Sequence, residues 1–173
     1  MKGDQDDHVL TRFGRAAAGR NLEGFVYGTI VVMSVIVGGA KAFPHGPGHV
    51  ALLVAVTTVV FWLAHVYAHG LGFSIHHDVH LSFAELRGIG RREAAIVGAG
   101  VPPEAALLLG ALGLFSEQTA TWLAMGLGLV VLGVTGIVFA RVERLRPLRA
   151  LVVVLANLAL GIVLIGLKVF VTH

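Results

Sequence analysis

Thr119–Val142 reads TATWLAMGLGLVVLGVTGIVFARV, a run of 24 residues in which the first charge is Arg141. As an α-helix such a run is roughly 36 Å long at 1.5 Å per residue, enough to cross a hydrocarbon core of roughly 30 Å. Read outward from it, the pattern repeats. Arg141, Arg144, Arg146 and Arg149 close this run and a second one opens at once, over 148–171. Towards the N-terminus lie three more, over 94–115, 49–71 and 22–42. The expected fold is all-α, a polytopic membrane helix bundle of five transmembrane helices. Residues 22–173 form a single transmembrane domain behind a cytoplasmic segment, 1–21. The third span contains Pro102 and Pro103. A helix starting only at Pro102 would have about 14 residues and be too short to cross, so this span is expected to be full-length but broken at Pro102-Pro103.

Composition agrees with lipid as the solvent. Of 173 residues 56% are hydrophobic and only 13% charged, with a mean hydropathy of +0.84. A water-facing surface needs about twice that share of charge. Eleven of the thirteen Lys and Arg residues fall at alternate ends of the five runs. They are Lys2, Arg12, Arg15 and Arg20; Arg87, Arg91 and Arg92; and Arg141, Arg144, Arg146 and Arg149. The opposite ends carry Lys41 and Lys168 alone. By the positive-inside rule this puts the N-terminus in the cytoplasm and the C-terminus outside. The basic balance is thereby assigned to topology and to anionic headgroups on the cytoplasmic face rather than to a nucleic-acid partner. Ala40-Lys41-Ala42 fits a small-x-small cleavage pattern, but the apolar run is longer than a signal peptide's and follows Asp4, Asp6 and Asp7, so the first span is expected to be retained. There is no cysteine, which excludes disulfides, thiol redox chemistry and thiolate ligands. The 23 glycines include Gly24, Gly28, Gly110, Gly128 and Gly161 inside the spans. Small residues of this kind allow close helix packing in lipid and admit a homo-oligomer.

Polar residues at membrane depth are expensive unless paired or hydrated, and so mark candidate sites. Span one enters past Glu23 and Tyr27 while span two returns past His65 and His69. Antiparallel neighbours share depth, which sets Glu23 near the level of His69 and Tyr27 near that of His65. His65, His69, His76 and His80 follow spacings of 4, 7 and 4, one stripe on a continuous helix. Its continuity depends on the helix surviving Gly70 and Gly72. Imidazoles at i and i+4 can share a divalent transition metal as cofactor or cargo, and they also titrate between roughly pH 5 and 8. A solvated, headgroup-facing cluster is the third reading. In span three the two prolines remove donors from the carbonyls of Gly98 and Ala99 just before Glu104, near mid-membrane. A broken helix beside an acid is the physical principle of many transporter ion sites. Asn157 of span five lies at comparable depth. Glu23, Tyr27, Glu104 and Asn157 are therefore the expected ion pathway, and His65, His69, His76 and His80 the expected metal ligands.

The segments Glu23 to Ile30, Phe61 to Ala68 and Asn157 to Lys168 resemble a family of small, functionally uncharacterised bacterial multi-pass membrane proteins. That resemblance implies the bacterial inner membrane and no particular activity. Arg20 with Glu23 to Ile30, then Phe61-Trp62 and His65, is also remotely similar to bacterial relatives of the lysosomal potassium channel. There the pore element is Phe-Ser-Asp and the spans number six; here the corresponding residues are Phe25-Val26-Tyr27 and the spans five. The expected function is permeation or transport of a cation, a proton or a divalent metal. The alternatives are a non-transporting scaffold or accessory subunit and a histidine-ligated membrane metalloenzyme. The last would lack the third histidine box that di-iron desaturases use.

Overall fold

The computed structural model describes the backbone of residues 2–43, 45–77 and 82–172, and the side chains of 19, 21–43, 45–75 and 82–170. Six helices follow one another: α1 Lys2–Ala42, α2 Pro47–His77, α3 Phe83–Arg92, α4 Ala94–Ala111, α5 Glu117–Val142 and α6 Pro147–Thr172. Five of them are long and apolar enough to cross a membrane, over Asn21–Ala42, Pro47–Ile75, Ala94–Ala111, Glu117–Val142 and Pro147–Phe170. The five-span bundle is thus present, and the helix of α1 also continues back through the charged segment to Lys2.

Three boundaries differ from expectation. The second helix passes Gly70 and Gly72 and ends at His77, because two glycines cost about 1 kcal/mol each and a long apolar helix in lipid absorbs that. The third span is shorter than 94–115 and stops at Ala111. Gly113 adopts φ +79°, Leu114 N–H donates to Leu109 O at 3.1 Å and Gly113 N–H to Gly110 O at 2.9 Å, which together form a Schellman stop. α4 also continues through Pro102 and Pro103 as one helix. The interruption lies in its hydrogen-bond ladder, where two rungs lack a donor; the proline φ of about −65° is itself helical.

The first helix is the hub. It packs against α2, α4, α5 and α6; α4 packs against α2 and α5, and α5 against α6. The core is built from Val32, Met33 and Ile36 of α1, Val50 and Val54 of α2, Leu107 of α4, and Met125 and Leu132 of α5. Among the described residues no apolar side chain of α6 is fully buried, and Leu164 and Ile165 only lean on this cluster. Lipid gives helices no hydrophobic reason to associate, so contact depends on close approach. Two seams are especially close, α4 on α5 where Gly110 faces Ala120, and α1 on α4. A Cβ built on Gly28 would stand 2.5 Å from the backbone oxygen of Ile96 and 3.0 Å from Ala99 Cβ, and one on Gly24 3.0 Å from Ala95 Cβ.

Buried hydroxyls are satisfied locally. Thr29 donates to Phe25 O at 2.7 Å, Thr58 to Val54 O at 2.7 Å and Thr135 to Val131 O at 2.6 Å, and no buried side-chain polar atom among the described residues lacks a partner. At the end away from the arginines, Lys168 Nζ sits 3.7 Å over the Trp122 ring, a cation–π contact joining α6 to α5. There too His45 Nδ1 meets Glu117 Oε2 at 3.0 Å. At the arginine-rich end α5 finishes on Arg144, whose φ of 51° is left-handed. Leu145 N–H donates to Ala140 O at 3.0 Å there.

Two stability predictions follow from the backbone. Gly28→Ala forces α1 and α4 apart and should cost about 1–3 kcal/mol, read as a lower melting temperature in detergent. Gly38→Ala, with nothing within 4 Å of its Cβ, should be neutral or slightly stabilising; equal behaviour of the two would contradict the seam. Arg144→Gly relieves a left-handed non-glycine and should stabilise by a few tenths to about 1 kcal/mol in the same assay.

Candidate functional site

The expected pairing of depth between spans one and two is realised at Tyr27. Its ring centroid lies 4.9 Å from that of His65 and 6.0 Å from that of Phe61. His65 in turn lies 6.1 Å, edge-on, from His69, and His69 Nδ1 is 2.9 Å from Glu93 Oε1. The row Tyr27, His65, His69, Glu93 thus runs from α1 across α2 to the junction of α3 and α4. The i, i+4 spacing of the two histidines puts them on one face, and α2 turns that face to α1 at Tyr27. His69 is 59% exposed and Glu93 15%, so the row opens to its surroundings at the histidine and is half closed at the acid.

Glu93 was not among the residues singled out from sequence. The available signal was a lone acid directly after Arg91 and Arg92 at the start of an apolar run. Phe61, which completes the aromatic packing on Tyr27, entered the sequence reading only through the Phe61-Trp62 resemblance and not as a site residue.

A second feature meets the first at Tyr27. A groove of ≈ 430 Å³ between α1, α5 and α6 is lined by Glu23, Tyr27, Thr135 and Asn157 among apolar side chains. Three of the four expected pathway residues therefore share one cavity wall. Asn157 is pressed against α5, its Nδ2 2.8 Å from where a Cβ on Gly136 would stand. Glu23 is exposed and faces the groove; no hydrogen bond joins it to His69 among the described residues.

Glu104 stands apart. It shares a face of α4 with Gly100 and Ala111 by the 4- and 7-residue spacing. Gly100 abuts Thr58 of α2, and a Cβ on Gly48 of α2 would touch Ala111. Glu104 therefore lies on the α2 side of α4, half-buried, and makes no side-chain hydrogen bond or ion pair among the described residues. Asn157 is on α6, which is not a packed neighbour of α4, so Glu104 and Asn157 do not face one another. Similar depth in the membrane does not determine which helices are adjacent around the bundle.

The histidine stripe is partly resolved. Because α2 reaches His77, the backbone of His76 lies on the same helical face as His65 and His69; its side chain, and the whole of His80, lie outside the described residues. Among the described residues no three of His, Asp and Glu gather as a metal site. Any site for a divalent metal would have to be completed from elsewhere, with His65 and His69 supplying two imidazoles. His69 is already fixed by its carboxylate partner, an arrangement also found behind metal ligands.

No family model, no curated protein and no solved structure matches the chain.

Tyr27 is the element common to the row and the groove, and its ring, not its hydroxyl, makes the contacts with Phe61 and His65. Tyr27→Phe should leave unfolding in detergent within about 0.5 kcal/mol, whereas Tyr27→Ala should cost about 1–3 kcal/mol. A large loss in the phenylalanine variant would move the structural role to the hydroxyl.

Proposed function

We propose that this protein moves a small cation, the proton first among them, across a bacterial inner membrane, with its N-terminus in the cytoplasm and its C-terminus outside. The observation that carries this reading is the row Tyr27, His65, His69, Glu93, in which neighbouring titratable groups touch from a membrane-facing groove to the arginine-rich end. By the positive-inside rule that end is cytoplasmic. Imidazoles exchange protons near neutral pH, and a carboxylate behind one of them sets its orientation. Glu104 supplies an acid deeper in the membrane, next to two carbonyls, those of Gly98 and Ala99, whose ladder donors the prolines have removed.

The packing bears on how such movement would work. Gly28 sets the level of Tyr27 against Ile96 and Ala99; Glu104 lies five to eight residues further along α4, roughly 8–12 Å. The core across that interval is apolar and closed, which supports alternating exposure through helix movement rather than a standing water-filled pore. A divalent metal takes second place as cargo, since the described histidines offer two ligands. The dry core and self-bonded threonines also favour a second reading, a membrane scaffold or accessory subunit that transports nothing. A histidine-ligated metalloenzyme has less support, for the same want of ligands.

Purified protein in liposomes loaded with a pH-sensitive dye tests this directly. An imposed potential should drive proton flux that His65→Ala with His69→Ala reduces and Glu104→Gln brings to the level of empty liposomes. Full flux in a folded Glu104→Gln variant would remove that residue from the pathway. Absence of proton, potassium and zinc flux in the unaltered protein would leave the scaffold reading.

A further inference from the structure

The short helix α3 begins with a complete capping box. Ser82 N–H donates to Glu85 Oε2 at 2.7 Å and Glu85 N–H to Ser82 Oγ at 3.3 Å. Such a box is worth about 1 kcal/mol and fixes where the helix starts. The other end is fastened to α2: Trp62 Nε1–H donates to Gly90 O at 2.9 Å, and a Cβ on Gly90 would stand 3.1 Å from the Trp62 ring. With both ends held, α3 lies back along α2 and leaves a groove of ≈ 580 Å³ between them. Its walls are apolar, from Leu63 and Val66 on one side to Phe83 and Leu86 on the other, and Arg87 and Arg91 also line it. The volume is in the range that holds a small ligand.

The charges are placed on one side of this groove. Arg87 and Arg91 are i and i+4 on α3 and so project together. Neither makes an ion pair or hydrogen bond with a carboxylate among the described residues. The two acids of this region among the described residues are engaged elsewhere: Glu85 in the capping box and Glu93 with His69. Among the described residues no acidic residue lines the groove. An apolar cleft at the arginine-rich end of a membrane bundle, with two unneutralised guanidinium groups beside it, matches one occupant in both its parts. We infer that the groove between α2 and α3 binds a single anionic phospholipid, its acyl chain along Leu63, Val66 and Leu86 and its phosphate held by Arg87 and Arg91. Guanidinium forks suit phosphate oxygens, and basic pockets against transmembrane helices recognise lipid headgroups in this way.

The site is distinct from the headgroup contact every arginine at that end makes. Arg146 and Arg149, in the turn before α6 and at its start, are exposed and line none of this groove, and so serve as the internal comparison. Native mass spectrometry of the full chain, released from nanodiscs containing phosphatidylglycerol or phosphatidylcholine only, should show one retained phosphatidylglycerol and no retained phosphatidylcholine. Arg87→Gln with Arg91→Gln should weaken retention about tenfold, the equivalent of roughly 1.4 kcal/mol, while Arg146→Gln with Arg149→Gln leaves it unchanged. Val66→Trp, which fills the groove and keeps both charges, should also displace the lipid; circular dichroism and melting temperature confirm that each variant is folded. Equal losses from the two arginine pairs would reduce the site to general adsorption and overturn the proposal. So would retention that Val66→Trp does not affect, or a lipid-independent dimer occupying the same face.

Discussion

The structure depends on how near two backbones can come where no water is present to drive them together. At Gly24 and Gly28 the first helix offers no side chain of its own and meets the backbone of Ile96 and the methyls of Ala95 and Ala99 on the fourth, and dispersion and carbonyl contact replace the hydrophobic effect. Because α1 packs against all four other spans, this seam bears on the height of the rest. Tyr27, next to Gly28, is brought level with His65 by it, and the core of Met33, Ile36 and Leu107 closes above. Polar backbone and hydroxyl groups then find partners within their own helices, as hydrocarbon requires.

Much of this is legible in the sequence, for reasons that can be named. Span number follows from run length and charge interruption, which is why Thr119–Val142 alone suffices to set the scale. The meeting of Tyr27 with His65 follows from counting depth along two antiparallel neighbours. Depth does not specify azimuth, however. Glu104 and Asn157 lie on helices with other helices between them, and the order of helices around a bundle is set by which small residues face which. Gly136 accommodates Asn157 and Gly100 accommodates Val32 and Thr58, a choice invisible in either sequence alone. The same ambiguity hid Glu93, whose partner lies on another helix, and the docking of α3, which turns on a single indole donor. The prolines illustrate a third limit. Their effect on the hydrogen-bond ladder follows from chemistry, whereas whether the helix continues past them depends on the packing around α4.

The arrangement separates two kinds of polar residue. Threonines in the core bond to their own helix and contribute packing with little chemistry. Tyr27, His65, His69 and Glu93 instead bond or stack between helices, so that changing the charge of any one acts on the relation of α1, α2 and α4. The interior is apolar, and this row of polar groups sits where helices meet.

The helices also differ in reach. The second, of 31 residues, is about 46 Å long, while the fourth, of 18, is about 27 Å and lies against it. A bilayer cannot match both. Lipid beside Val101, Ala105 and Leu108 of α4 must thin or tilt to cover a short helix, whereas α2 carries its surplus beyond the hydrocarbon, where α3 folds back on it. The α4 flank is therefore suited to a bilayer thinner than the one α2 can cross. Mismatch of this kind, at fractions of a kcal/mol per ångström, sorts membrane proteins among lipid environments without any specific contact.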